Sequence, residues 1–283
     1  MWLSSGDVVK CADKAKLVLV YANAREVAVA GGASHTVTAA TSKLDKDAEN
    51  RWQRLVKLMT PIGKNARYAT QGTQASRNGP GETALELTAV QPREFDDEQG
   101  ERLIGKALAK APVFVFTRPQ QNSTYRLRIE QLGEIIFDQV LTEAEMIPMA
   151  ADSPIVIARP KFELPANVNL RWQVIVGNSA NKQTRRMAFK SINLESTPAA
   201  REALRDLPTS AGPVSQLRRG VLLESEGFFG DAIVAYLTAI RLAPNEPVYH
   251  QMLARLYDSI ESFQLADMEV EIAKRLSRKQ ETE

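Results

Sequence analysis

The residues of this chain that could carry out chemistry are few. The sequence has one cysteine, Cys11, and two histidines, His35 and His250. A zinc site needs about four ligands, and a nucleophile activated by histidine would have to use one of these two imidazoles. Neither histidine lies in a nucleophile motif, and the sequence has no glycine-rich phosphate-binding motif. We therefore predict that the protein is not an enzyme and binds no cofactor or metal, and that His250 is a packed or surface side chain and not a ligand.

A group of acidic side chains suggests the alternative of a hydrolase. Asp96, Asp97, Glu98 and Glu101 fall in one short charged segment. General acid–base catalysis needs two carboxylates that are set apart in a cleft and have separated pKa values. A run of acids in one exposed segment does not provide this arrangement. We therefore interpret residues 94–110 as a solvated helical insertion.

The charge balance says little about partners. Lys and Arg number 36 and Asp and Glu number 34, which gives a net charge of +2. A basic stretch, residues 51–77, allows binding to nucleic acid or to an acidic partner, but it lacks the aromatic series that stacks single-stranded bases. We interpret it as a solvated face and linker, so nucleic-acid binding is not favoured. Its basic residues are Arg51, Arg54, Lys57, Lys64, Arg67 and Arg77.

The sequence predicts no membrane span, because no run of 18 apolar residues occurs. Its first residues lack the basic and apolar regions of a secretory signal peptide. Two locations therefore stay open. The protein is cytoplasmic, or it is periplasmic or otherwise extracytoplasmic if a signal peptide has been removed.

Residues 1–43 are predicted to form a small β module. Four stretches rich in β-formers, "DVV", "AKLVLVYA", "REVAVA" and "SHTVTA", are separated by turn residues. The sequence "LSSGDVVKCADKAKLVLVYANAREVAVAGGASHTV" resembles the FecR-like β module of bacterial envelope and signalling proteins. The resemblance rests on a Gly-Asp entry, an apolar strand and a Gly-rich step into a final strand. It implies a module without catalytic residues.

Residues 44–82 are predicted to form an amphipathic helix followed by the basic linker. Apolar residues recur there with helical spacing, and Pro61 ends the pattern. Residues 70–81, "TQGTQASRNGPG", have the composition of a linker. The apolar stripe consists of Ala48, Trp52, Leu55, Val56 and Met59.

Residues 83–195 have the pattern of an antiparallel β-sandwich. Six strand candidates follow one another, "APVFVFTRP", "TYRLRIEQ", "GEIIFDQVL", "PIVIARPKFELP", "VNLRWQVIVG" and "RRMAFKSINL". Their spacing resembles an immunoglobulin-like or fibronectin-III-like domain, without the cysteine pair of antibody domains. Alternating side chains of two strands are expected to form the core, with Trp172 as the largest. These side chains are Tyr125, Leu127, Ile129, Leu170, Trp172, Val174 and Val176.

Residues 196–283 contain the most specific pattern, a 34-residue repeat. Two units begin at residues 213 and 247. A helical hairpin needs small residues where its helices approach closely and large residues beside them. Both kinds occur at fixed positions of the two units. They are Gly220, Ala232, Tyr236, Ala239 and Pro244 in the first unit, and Leu253, Ala254, Tyr257, Ala266 and Ala273 in the second.

This pattern resembles the tetratricopeptide-repeat family. The resemblance implies four helices and a partner-binding surface on the first helix of each unit. Because such arrays usually need three units, we expect the helices to pack against the β-sandwich, the segment "AAREALRDL" or another chain. The first-helix positions are Val214, Leu217, Val221, Glu224, Val248, Gln251, Arg255 and Asp258; the candidate partner-binding residues among them are Leu217, Val221, Glu224, Gln251, Arg255 and Asp258.

The sequence thus predicts a multidomain α+β protein that acts as a non-enzymatic adaptor or regulator, binding another protein through its repeats and β modules. The bacterial proteins that this order of modules resembles are expected to act as envelope-associated or signalling adaptors, sometimes beside caspase-like proteases. The resemblance therefore also allows a partner or regulator of such a protease.

Overall fold

The computed structural model describes residues 8–13, 17–20, 26–37, 87–96, 102–118, 123–150, 153–177, 182–196, 198, 201 and 212–282. The chain divides into two compact units, residues 1–60 and residues 61–283. Strands and helices together make it an α+β protein. The predicted helix at 44–60, the basic stretch 51–77 and the helix candidate 199–207, apart from Arg201, lie outside the described residues.

The first unit contains the four short strands that the sequence predicts. β1 pairs with β4 and β2 pairs with β3, both in antiparallel fashion. Val9, Cys11, Val29 and Val37 form a small buried core. Gly31 allows the chain to close over this core, because a Cβ there would overlap the carbonyl oxygen of Asp13. The strands are β1 (Val8–Lys10), β2 (Leu17–Val20), β3 (Glu26–Val29) and β4 (Ser34–Thr36).

The second unit contains a β-sandwich of a five-stranded and a three-stranded sheet. The strand orders are β11-β10-β13-β14-β8 and β12-β9-β5, and β6 pairs with β7 separately. All pairs are antiparallel except β14 with β8, which is parallel. The strands are β5 (Ala89–Gln91), β6 (Glu94–Asp96), β7 (Arg102–Ile104), β8 (Lys106–Leu108), β9 (Phe114–Thr117), β10 (Tyr125–Gln131), β11 (Glu134–Val140), β12 (Ile155–Ala158), β13 (Asn169–Val176) and β14 (Met187–Ile192).

One core lies between the two sheets, and Trp172 is its largest side chain. Trp172 is 1% exposed. Its ring lies 5.0 Å from that of Phe114, which belongs to the opposite sheet. Its indole N–H donates to the carbonyl oxygen of Pro92, so the polar atom of this buried ring is satisfied. The predicted core faces of β10 and β13 are confirmed, since all seven residues named for them lie in this core.

The helical insertion predicted for residues 94–110 is wrong. The described part of this segment forms β6, β7 and β8. Glu94 pairs with Ile104 and Asp96 with Arg102 across the β6–β7 ladder. Gly105 lies between β7 and β8, where a Cβ would lie 2.7 Å from the carbonyl oxygen of Arg93.

The turn between β10 and β11 places a leucine in a strained conformation. Leu132 has φ +51° and Gly133 has φ +91°, which is the backbone of a hairpin turn that favours Asn-Gly. Leu132 is also 98% exposed. Its side chain therefore gains nothing from burial that would offset the strain.

Replacing Leu132 by asparagine is expected to raise the free energy of unfolding by about 0.5–1 kcal/mol, because asparagine tolerates positive φ. Urea denaturation of the full chain measures this. The control is Gly133→Ala, which places a Cβ at positive φ in the same turn and should destabilise the protein. Equal destabilisation by both substitutions would contradict the assignment of strain to Leu132.

Within residues 212–282, four helices form two antiparallel hairpins. α1 packs on α2 and α3 packs on α4, and α2 also contacts α3. The small residues predicted at close approaches are all buried: Gly220, Ala232, Ala239, Ala254, Ala266 and Ala273. The helices are α1 (Pro213–Ser225), α2 (Phe229–Leu242), α3 (Pro247–Ser259) and α4 (Phe263–Thr282).

The two hairpin turns have the same hydrogen bonds at positions 34 residues apart. In the first, the N–H of Phe228 donates to Leu223 O at 2.8 Å; in the second, the N–H of Ser262 donates to Tyr257 O at 2.7 Å. The residue with positive φ is Gly227 in the first turn and Glu261 in the second. The 34-residue period read from side chains is therefore present in the backbone.

The sandwich contacts the helices at these two turns. Lys106 of β8 donates from its backbone N–H to Gly227 O at 3.1 Å and from Nζ to Glu226 O at 2.8 Å. Arg93 donates from Nη2 to Ile260 O. Glu226 and Ile260 are the C-terminal caps of α1 and α3. Cationic groups of the sandwich thus bind the carbonyl ends of both first helices, where the helix dipole is negative.

Candidate functional site

The candidate surface is built around a buried charge network that joins α1, α2 and α3. Glu224 of α1 accepts hydrogen bonds through Oε2 from the hydroxyl of Tyr236 at 2.7 Å and from Nη2 of Arg255 at 2.6 Å. The side chains of Glu224 and Arg255 are 5% and 14% exposed. The pair therefore belongs to the interior of the helical region, and it links the first helix of one hairpin to the first helix of the next.

Electrostatics in this network favour the ionised pair. Burial would lower the pKa of Arg255, but the Glu224 carboxylate outweighs burial and raises it. Burial raises the pKa of Tyr236 well above its usual value, and the nearby Glu224 adds to this. Tyr236 therefore stays a neutral hydrogen-bond donor and Arg255 stays a cation.

We call the eight first-helix positions predicted from the sequence the front face. Its α1 half is largely covered, since Val221 is 1% and Glu224 is 7% exposed, while Val214 and Leu217 are half-buried. Its α3 half is more open. Val248 is 39% exposed, Gln251 is exposed, and Arg255 and Asp258 are half-buried.

The structure thus brings Glu224 and Arg255 together but places them inside the helical region. Gln251 lies at the surface, with Leu217 and Asp258 partly accessible. Val221 packs in the interior of the hairpins. The role of these six residues in binding a partner stays a prediction.

A second buried carboxylate lies where α2 meets the sandwich. Asp231 is in the first turn of α2 and is 8% exposed. Its Oδ1 lies 3.5 Å from Nη2 of Arg159, which follows β12. Burial raises the pKa of Asp231 to about 6, although Arg159 and Arg219 oppose this. Asp231 was not recognised from the sequence, because nothing in its neighbours indicates burial of a charge.

The raised pKa of Asp231 predicts a pH-dependent stability. The folded state favours the protonated form of Asp231. The stabilisation that results is complete below about pH 4, the pKa of the unfolded chain, and is lost as the pH rises through about 6. We compare the free energy of unfolding of the unmodified chain with that of the Asp231→Asn variant at each pH. The value for the unmodified chain minus that for the variant is expected to fall by up to about 3 kcal/mol between pH 4 and pH 7. Urea titrations at several pH values measure this difference.

Asp138 provides the matched control for Asp231. Burial alone would raise the pKa of Asp138, but Arg126 and Arg128 outweigh it and lower the pKa. Asp138→Asn should therefore give a difference of the opposite sign, with stability lost as the pH falls. If Asp231→Asn gives the same slope as Asp138→Asn, the assignment for Asp231 is wrong.

An exposed apolar edge lies on the sandwich, away from the helical turns. β11 is the outermost strand at one end of its sheet, and β8 is the outermost at the other. The β8 end is covered by the α1–α2 turn through Lys106. The β11 end carries four large apolar side chains that are at least 40% exposed: Leu132, Ile135, Ile136 and Val140.

The side chains first considered for chemistry belong to different elements. Cys11 is in the core of the first unit, and His35 is on β4 opposite Val9. His250 is packed on α3, one of the two placements predicted for it, with Nδ1 at 2.6 Å from Oε2 of Glu269. Of the acidic run, Asp96 ends β6, while Asp97, Glu98 and Glu101 lie outside the described residues.

No helix of the described residues has the length and apolar character needed to cross a bilayer. Within the same residues, no three His, Cys, Asp or Glu side chains are arranged so as to hold a metal ion.

A comparison of the sequence with models of known protein families gives no match. A comparison with curated proteins gives none either. The assignment of a function therefore depends on the residues and geometry described above.

Proposed function

We propose that this protein is a non-enzymatic adaptor that binds another protein through the front face of two tetratricopeptide-type hairpins. The observation that carries the proposal is the row on α3. Val248, Gln251, Arg255 and Asp258 follow helical spacing and alternate between apolar, polar and charged side chains. Val248 and Gln251 are open to solvent. A helix face that presents exposed apolar and polar side chains at helical spacing can bind a partner segment.

The repeat assignment has structural support beyond the sequence period. The hydrogen bonds of the two turns recur after 34 residues. At Gly220 of α1, a Cβ would lie 2.5 Å from the ring of Tyr236 in α2. A small residue at this point allows the large one to fill the groove, which is the packing that the repeat pattern implies.

The sandwich is proposed to be immunoglobulin-like. The support is its strand order, in which β9 pairs with β12 and β10 with β13. Neighbours in the sheets therefore skip strands along the chain, as in a Greek key. In the first unit, the four paired strands support the proposed FecR-like module.

The β11 edge is the part of the sandwich that we include in the binding function. An exposed strand with apolar side chains and an unpaired backbone edge accepts an additional strand from a partner. The front face remains the principal site in the proposal, because the helical repeat specifies it.

The front face is tested with two aspartate substitutions at apolar side chains of similar exposure, one inside the front face and one outside it. Val248→Asp places a charge in the row on α3, whereas Leu242→Asp places one at the end of α2, outside the front face. The two wild-type side chains are 39% and 46% exposed. We expect Val248→Asp to weaken partner binding by about tenfold or more, since an interfacial anchor contributes more than 1 kcal/mol, and Leu242→Asp to leave it unchanged.

The partner is captured with a photo-crosslinking amino acid at Gln251 in the full chain, and Arg241 serves as the control position. Both side chains are exposed. A species crosslinked from Gln251 but not from Arg241, and lost with Val248→Asp, supports the proposal. Equal capture from both positions, or equal loss with both aspartate variants, contradicts it.

A further inference from the structure

A cavity of about 520 Å³ lies between two loops of the β-sandwich. One wall is residues 144–148, after β11, and the other is residues 159–163, after β12. The walls are held by the sheet, because the N–H of Ile147 donates to Ile157 O at 2.8 Å and the N–H of Arg159 donates to Glu145 O at 2.6 Å. This volume is within the range of sites that bind small molecules.

The lining of the cavity is mainly apolar. Met146, Ile147, Pro160 and Phe162 contribute to it. Phe162 is fixed in place by stacking on Phe137 of β11, with ring centroids 4.0 Å apart. Such a surface binds an apolar body without rearrangement.

Three cationic side chains surround this apolar lining: Lys110, Arg159 and Lys161. Arg159 lies 3.5 Å from Asp231, which is longer than an ordinary N–H···O hydrogen bond. A guanidinium has five N–H groups, so Arg159 can bind a second acceptor besides Asp231. Among the described residues, the ammonium groups of Lys110 and Lys161 have no hydrogen-bonded acceptor.

The lining also contains two acids, Glu145 and Glu163. The Glu145 carboxylate accepts bonds from the N–H of Thr142 at 3.0 Å and from its hydroxyl at 2.8 Å. The bond from the Thr142 backbone is the largest cause of the lowered pKa of Glu145, and Lys161 lowers it further through its backbone N–H and its charge. The three cations of the lining therefore exceed its two carboxylates by one positive charge.

We propose that this cavity binds a small organic carboxylate with an apolar body. The carboxylate is bound by Arg159, whose guanidinium fits it with paired hydrogen bonds, and by the neighbouring Lys110 and Lys161. The apolar body lies on Met146, Ile147 and Phe162. This site is separate from the front face and does not depend on the proposed adaptor function.

Decanoate is the probe, titrated calorimetrically into the full chain below its micelle concentration. We expect saturable binding of one decanoate per chain. Acetate, which lacks the apolar body, and decyltrimethylammonium, which reverses the charge, should not bind. With methyl-labelled methionine, the resonance of Met146 should shift on binding.

The charge-reversal variant Lys110→Glu/Lys161→Glu should weaken decanoate binding by about tenfold or more, because each hydrogen bond to a charged group contributes about that factor. Lys110 and Lys161 are exposed, so the substitutions leave the core intact. Lys182→Glu, also exposed, is the control and should not change binding.

Three results would overturn the proposal. One is equal binding of decanoate and decyltrimethylammonium, and another is equal binding by the double variant and the control. The third is binding only of peptides that end in a free carboxylate, which would assign the cavity to a protein terminus.

Discussion

Alanine at position 220 is expected to destabilise the helical region by about 2–3 kcal/mol, the usual range for an overpacked core. The sign is the reverse of the normal effect, since Gly→Ala in a helix ordinarily stabilises by about 0.5–1 kcal/mol. A Cβ on residue 220 would lie 2.5 Å from the ring of Tyr236. That ring is 0% exposed and its hydroxyl is bonded to Glu224, so it cannot move aside cheaply.

Urea denaturation followed by helical circular dichroism measures the effect of Gly220→Ala. Gly212→Ala is the control, because a Cβ there has no neighbour within 4 Å; it should cost less than about 1 kcal/mol, the loss of a favourable N-cap glycine. In the double variant Gly220→Ala/Tyr236→Leu, the smaller side chain relieves the overlap, so its cost should be less than the sum of the single costs. An additive double variant would show that the ring is not the obstacle.

The second large effect is expected from Glu224→Gln, with a loss of about 3–5 kcal/mol in the free energy of unfolding. The substitution removes the anion that faces Arg255 and leaves a buried guanidinium without an opposite charge. Nε of Arg255 is already buried without a partner in the described residues. The remaining hydrogen bond from a neutral amide does not compensate for this.

The matched control for Glu224→Gln is Glu271→Gln, which breaks the exposed pair of Glu271 with Lys274. No measurable change is expected there. Replacing the buried network as a whole, by Glu224→Leu/Arg255→Met/Tyr236→Phe, should restore most of the stability or exceed it, because no charge is then buried. If Glu224→Gln and the triple variant are equally unstable, volume and not charge explains the loss.

Elements with a long periodic pattern of side chains were predicted well from the sequence. The alternation around Trp172 predicted the core face of β13, because burial on one side of a strand follows the side-chain period of two. The 34-residue spacing predicted four helices, since close helix packing restricts the same positions in each hairpin to small residues. The general α+β class followed from these two patterns.

Short elements and pairings between distant residues were not predictable in this way. β6, β7 and β8 have three residues each, which is too few for a period to be recognised among charged residues. The parallel pairing of β8 with β14 joins residues far apart in sequence. No local pattern specifies such a partner.

For the candidate site too, the sequence predicted positions along a helix but not the contacts between helices. The sequence named Glu224 and Arg255 as front-face positions, because both occupy the row of the first helices. It did not predict that they bind each other and that Tyr236 joins them, since this depends on how α1, α2 and α3 approach in space. The burial of Asp231 depends on contacts between the sandwich and α2, and the cavity beside Arg159 depends on the approach of two sandwich loops that are separate in sequence.

The two bonds from Lys106 and Arg93 have a mechanical consequence. They end on Glu226 and Ile260, which are equivalent residues of successive hairpins. A single point of attachment would act as a pivot, about which a rod of helices could swing. Two separated points leave only the rotation about the line that joins them. The orientation of α3 relative to the sheet is therefore restricted to that single rotation.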